Sequence, residues 1–244
     1  MDPGQYTNYP RSPVREINLS VIGIAWNMVI KNLMPFALCS LAALVAMAVP
    51  FGIGYVLSMG AAFAGASNND VGAAIGMQLV STAVQLPFTL LAYALAGPFA
   101  VSFVLMTRKL LAGESVSTDD IFSGFSKFVP AAIAGGVIML GVTIGSYCCI
   151  VPGLLFGGLT MFTFPIIATK SVGPLEAMRE SWGMLTGHLW MAGVAYFLAS
   201  LVSGLGACAC IIGLVVTLPI LYVVEAILHR DFTEAPLAAE APSA

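Results

Sequence analysis

Four cysteines, one isolated carboxylate and one acidic pair are the residues of this chain whose types could do chemistry. Cys148, Cys149, Cys208 and Cys210 fall at two short interruptions between long apolar runs, Tyr147 to Gly153 and Gly204 to Cys208, with Cys210 just past the second. Such thiols could form a disulfide in an oxidising compartment, or four thiolates could hold a soft metal. The plain alternative is cysteine used as a small apolar residue at a tight turn. The spacings match no zinc pattern, which favours that alternative.

Glu225 stands inside the last apolar run, four residues before His229 and five before Arg230. A carboxyl within a membrane span is a proton or cation site by default. Its expected place near the end of the run allows a plainer role, satisfied by solvent or by an i to i+4 contact with His229. Asp119-Asp120, beside Ser117 and Thr118 and just ahead of an apolar stretch, fits helix capping. Both histidines, His188 and His229, lie at ends of apolar runs, and the chain carries no His-Glu-x-x-His, no Gly-x-Ser-x-Gly and no P-loop. No enzyme, catalytic residue, metal site or cofactor is therefore expected.

The elements that would position these residues follow from composition. Of 244 residues, 59% are hydrophobic and 9% charged, and the mean hydropathy is +0.96. Soluble domains carry roughly a quarter charged residues. Uncharged runs extend over 33–69, 71–107, 128–169 and 189–224. A hydrocarbon core about 30 Å thick takes roughly 20 helical residues to cross. The first run supplies one crossing near 34–59. The second, interrupted by Gln78, Gln85, Pro87 and Gly97-Pro98, supplies one near 85–106, with its early part at the outer surface. The third and fourth each fold into two crossings joined by a cysteine-bearing hairpin. The expected fold is all-α, a polytopic membrane helix bundle of about six spans.

Every lysine and arginine (Arg11, Arg15, Lys31, Arg108, Lys109, Lys127, Lys170, Arg179, Arg230) falls in a tail or an even-numbered connection, and Asp70 is the one charge in the three outer loops. Basic residues near span ends stay cytoplasmic. The expected location is thus the bacterial inner membrane, with both termini cytoplasmic. Residues 1–16 lack the apolar core of a cleaved signal peptide and, like 231–244, read as disordered cytoplasmic tails. Residues 17–230 form a single transmembrane domain.

Within that domain Trp26-Asn27-Met28 followed by Leu33 is echoed by Trp182-Gly183-Met184 followed by Leu189, with a weaker middle copy at Phe122 to Pro130. This internal repeat suggests three units, about 17–109, 119–170 and 174–230, each an interfacial amphipathic helix plus two spans. In the third, Leu175, Met178, Trp182 and Leu185 share one stripe, and Glu176, Arg179, Glu180 and Thr186 face away. Trp26, Trp182 and Trp190 are expected interfacial anchors. The stripe could equally pack on the spans. The pairs Gly141/Gly145 and Gly153/Gly157 predict close packing of the middle hairpin.

The run Pro174-Leu175-Glu176-Ala177-Met178-Arg179-Glu180-Ser181-Trp182, then Gly187-His188 and the Cys-Ile-Ile-Gly-Leu hairpin with Pro219, resembles a broad group of bacterial six-span membrane proteins of unknown function. That group is similar to the membrane domain attached to some glycerophosphodiester phosphodiesterases. The resemblance covers roughly Ile17 to Arg230 and implies a fold rather than a reaction, because no segment here corresponds to the catalytic domain. Two functions remain open. The leading one is a non-enzymatic packing, accessory or assembly protein; the alternative is a small transporter or channel component with Glu225 near its path. Expected partners are membrane lipids and a second copy or other membrane proteins, with no nucleic acid.

Overall fold

The computed structural model describes residues 17–65 and 71–234, with side chains for 17–60, 72–208 and 212–234. The expectations for residues 1–16 and 235–244, Arg11, Arg15, Asp70 and the Cys210 side chain lie outside the described residues. Helices account for the architecture, and no strand occurs among the described residues. In lipid a helix satisfies its own backbone, so apolar runs of this length have that one open-chain solution.

Helix α1 (Val21–Lys31) precedes α2 (Leu33–Gly65) and α3 (Val71–Leu111); α4 (Phe128–Cys148), α5 (Ile150–Thr160), α6 (Thr163–Thr169) and α7 (Pro174–Leu185) follow, then α8 (Leu189–Leu205) and α9 (Cys210–Glu234). Among the described residues six stretches are long and apolar enough to cross a membrane: 33–60, 72–111, 118–148, 150–169, 174–208 and 212–234. The chain is a multi-pass membrane protein with an all-α bundle fold.

Four departures from the sequence reading matter for the site. First, α3 is a single 41-residue helix running through Pro87 and Pro98, not a 22-residue crossing with a surface-lying lead. Its early part stands against α2 instead. Ser81 Oγ donates to Ser58 O at 3.3 Å, and a Cβ on Gly54 would lie 2.7 Å from Phe88 Cβ. Paired helices of about 50 and 62 Å result, from 33 and 41 residues at 1.5 Å each.

Second, the segment opening the middle unit is a 3-10 helix, Thr118–Lys127, rather than an α-helix. Gly124 lets it sit directly on α3, since a Cβ there would fall 2.0 Å from Pro98 O. Its N–H donates to Ser102 Oγ at 2.9 Å, and Ser102 Oγ donates to Pro98 O at 3.2 Å. Of the acidic pair, Asp120 caps as expected: its Oδ2 accepts from Ser117 N at 2.9 Å, while Lys109 Nζ donates to its Oδ1 at 2.5 Å.

Third, the fourth span is broken. α5 ends at Thr160, Met161 and Phe162 interrupt it, and α6 resumes for seven residues. Fourth, α9 continues to Glu234, so residues 231–234 belong to the helix and not to a tail. Arg230, Asp231 and Phe232 are buried there, and Arg230 pairs with Asp231 at 2.8 Å. α1 covers this end of α9, burying Val21, Ala25, Met28 and Val29.

The hairpins match their sequence expectation. α4 turns into α5 through the extended Cys149, and α8 meets α9 through the 3-10 turn Gly206–Ala209. The glycine pairs pack the first of these closely: a Cβ on Gly145 would meet Gly153 Cα at 2.8 Å, and one on Gly141 the Phe156 ring at 2.3 Å. Gly157 faces α8 instead, with the Tyr196 ring at 2.3 Å.

Candidate functional site

The bundle closes around a cavity of about 400 Å³ that every one of the six spans helps to line. α2 contributes Leu44 and Met47, α3 Tyr93, Ala96 and Gly97, and α4 Gly135 through Thr143 on one face. The broken span adds Gly157, Thr160, Met161 and Phe164; α8 adds Tyr196 and Ser203; α9 adds Leu214, Leu218, Leu221, Tyr222 and Glu225. From Leu214 to Glu225 the lining follows α9 for eleven residues, about 16 Å. The walls are dominated by aliphatic and thioether side chains.

Small residues make the space. Gly97 on α3 and Gly135 on α4 bring the two backbones together: a Cβ on Gly97 would lie 2.1 Å from Ala131 O, and one on Gly135 2.5 Å from Tyr93 O. The contact holds Tyr93 at the cavity wall. Gly157 does the same for Tyr196 across the α5 and α8 interface. Tyr222 is fixed by rings, stacked 5.5 Å from Phe103 and edge-on 6.0 Å from Phe164. Tyr196 and Tyr222 stand within electrostatic reach of Glu225 and of Tyr93.

Glu225 is 3% exposed, and its Oε2 has no hydrogen-bond partner. This corrects both plain roles drawn from sequence. Solvent does not reach it, because α9 runs nine further residues past it and α1 covers that end of the helix. His229 does not satisfy it either: the His229 ring is turned edge-on to Phe162 at 5.5 Å, and its Nε2 is also without a partner. A buried polar atom left unpaired costs about 1–3 kcal/mol. Such atoms call for a reason.

The break in the fourth span borders the cavity through Thr160 and Met161. One serine of α7 holds it together. Ser181 Oγ accepts from Phe162 N–H at 3.2 Å and donates to Leu159 O at 2.6 Å. That contact explains why the buried face of α7 is Ala177, Met178, Ser181 and Leu185, rotated from the expected stripe. Leu175 is exposed instead, and Trp182 is half-exposed, edge-on to Phe156. Glu180 pairs with Lys170 on the outward side.

The remaining candidates do not converge on the cavity. Cys148, Cys149 and Cys208 are free and exposed at the hairpin ends, and Cys39 is a further free thiol in the core. Among the described residues no group of three or more His, Cys, Asp or Glu is arranged to hold a metal. Trp26, Trp182 and Trp190 all present surface outward.

Tyr93, Tyr196, Tyr222, Thr160 and Ser181 were not singled out by sequence. The available signal was tyrosine deep within uncharged runs, away from the interfaces where it is usually enriched.

Comparison with known proteins finds relatives that are themselves uncharacterized. One, from Mycobacterium tuberculosis strain H37Rv, is 26% identical over 102 residues, covering 40% of this chain and 30% of the relative. Another, from Mycobacterium bovis, is 24% identical over the same length and the same shares. The match spans under a third of the length of these relatives. No family model and no solved structure matches the chain.

Proposed function

We propose that this protein is a non-enzymatic small transporter component of the bacterial inner membrane that holds a small molecule in the cavity at the centre of its bundle. One observation carries the reading: all six spans line that cavity, and a buried Glu225 oxygen without a partner faces into it. Ligand sites in membrane transporters lie near the bilayer midplane and are commonly built on discontinuous helices. The interruption at Met161-Phe162 fits that pattern. A volume of about 400 Å³ falls within the roughly 300–1,000 Å³ of small-molecule pockets.

A purely packing or assembly role accounts less well for an unpaired buried carboxyl beside empty space, since close-packed interiors hold few voids. Cytoplasmic termini are part of the proposal. They are supported by Lys31, Arg108, Lys109, Lys127, Lys170 and Arg179, which gather at one set of helix ends, against connections without lysine or arginine at the other. The three-unit organisation is supported by the short helical segment that precedes each pair of spans: α1, Thr118–Lys127 and α7. Membership of the six-span group rests on the Pro174 to Trp182 motif.

Flux across proteoliposomes tests the function. Wild-type protein should carry members of a small-solute panel, and Thr143→Trp, which fills the cavity from α4, should abolish that flux. Flux indifferent to Thr143→Trp, or absent across the panel, would set the proposal aside in favour of an accessory role.

A further inference from the structure

Resting on the reading above, we infer that the cavity's ligand is a lipophilic organic cation, an amine whose ammonium group meets Glu225 and whose apolar body lies along α9. The chemistry of the lining selects this class by elimination and by fit. An anion is disfavoured because the lining includes a carboxyl and no lysine or arginine. Three basic side chains at this end of the bundle are paired: Lys109 with Asp120, Lys170 with Glu180 and Arg230 with Asp231.

A bare metal cation fits no better. Hard cations take about six to eight oxygen ligands, and no metal-ligating group of three occurs among the described residues. A strongly polar neutral solute would leave most of its groups facing leucine, methionine and isoleucine, with the desolvation cost that entails.

Two features argue positively for an ammonium. Glu225 Oε2 is an acceptor without a donor, in a residue 97% buried by its 3% exposure, and an N–H donor of opposite charge supplies what it lacks. Three tyrosine rings, Tyr93, Tyr196 and Tyr222, share the lining with it. Aromatic faces are electronegative and attract cations within about 6 Å of the ring centre. Beyond this polar end the cavity continues along Leu221, Leu218 and Leu214, a wall suited to a hydrocarbon or aryl group and to little else. The ligand should therefore be monocationic at one end and apolar over the rest.

The test uses the full chain in nanodiscs and equilibrium dialysis with two radiolabelled probes of one shape, dibenzylamine, cationic at neutral pH, and dibenzyl ether, its neutral counterpart. The amine should bind at least about tenfold more tightly than the ether, the scale of one charge-assisted hydrogen bond. Glu225→Gln should bring the amine down to the level of the ether and leave the ether unchanged. Glu225→Asp, which keeps the carboxylate, should retain most of the preference; Tyr222→Leu should weaken the amine several-fold and spare the ether.

Equal binding of both probes, or an amine preference that survives Glu225→Gln, overturns the cation assignment. If Thr143→Trp still abolishes binding or flux in that case, the cavity reading stands without it. Amine binding no greater than to empty nanodiscs also overturns the assignment, and flux untouched by Thr143→Trp then removes the underlying reading as well.

Discussion

Removing one oxygen atom should loosen the fourth span. In Ser181→Ala the Phe162 N–H and the Leu159 carbonyl both lose their partner, at 3.2 and 2.6 Å respectively. Ser181 is fully buried, so water does not replace it. If both backbone groups stay unpaired, each costs about 1–3 kcal/mol, for a total of about 2–6 kcal/mol. Hydrogen bonds between membrane helices average nearer 0.6 kcal/mol, which puts the floor for two bonds at about 1 kcal/mol. We expect about 2–3 kcal/mol, between that floor and the full loss of both partners. Reversible unfolding in mixed micelles measures the difference. Thr186→Ala is the reference, since Thr186 Oγ1 bonds to Trp182 O on the exposed surface of the same region and should change stability by under about 0.5 kcal/mol. Ser181→Ala indistinguishable from Thr186→Ala would refute the reasoning.

Other outcomes follow from the same structure. Glu225→Met removes the unpaired oxygen while keeping the volume, and should stabilise the protein by about 1–3 kcal/mol in the same assay while reducing function. Gly157→Ala drives a methyl into the Tyr196 ring, 2.3 Å away; it should cost about 1–3 kcal/mol and weaken whatever the cavity binds. A membrane-impermeant thiol reagent applied to intact cells should label Cys148, Cys149 and Cys208, exposed free thiols, without prior reduction and leave the buried Cys39 untouched. Labelling that requires prior reduction would show a disulfide in their place, and labelling only from the cytoplasmic side would invert the proposed orientation.

Much of the frame was legible in the sequence, because single-residue chemistry controls it. Uncharged runs marked the spans, Gly145 and Gly153 marked a close hairpin, and Ser117 with Asp120 marked a cap. The cavity was not legible, since it is made by side chains from six spans whose rotational settings no local pattern records. Glu225 looked interfacial because the helix was expected to end at Arg230, with a tail from Asp231 onward; the Arg230–Asp231 ion pair and the cover of α1 draw that end inward. The face of α7 was misassigned for a related reason. The apolar stripe through Leu175 and Trp182 left Ser181 out, but the broken span supplies that serine with both a donor and an acceptor inside. Pro87 and Pro98 suggested interruptions in α3, which pairing with α2 and the bonds around Ser102 overrode.

The α2 and α3 pair has a consequence for the lipid around the molecule. A helix of about 62 Å cannot fit a hydrocarbon layer of about 30 Å within the usual tilt range of 0–40°. Its far half nonetheless presents apolar side chains outward, among them Val56 and Leu57 on α2 and Ile75, Leu79 and Val80 on α3. On the opposite flank α8 spans 17 residues, about 26 Å. Lipid beside the α2 and α3 pair therefore meets an apolar wall more than twice the height of the one that α8 offers.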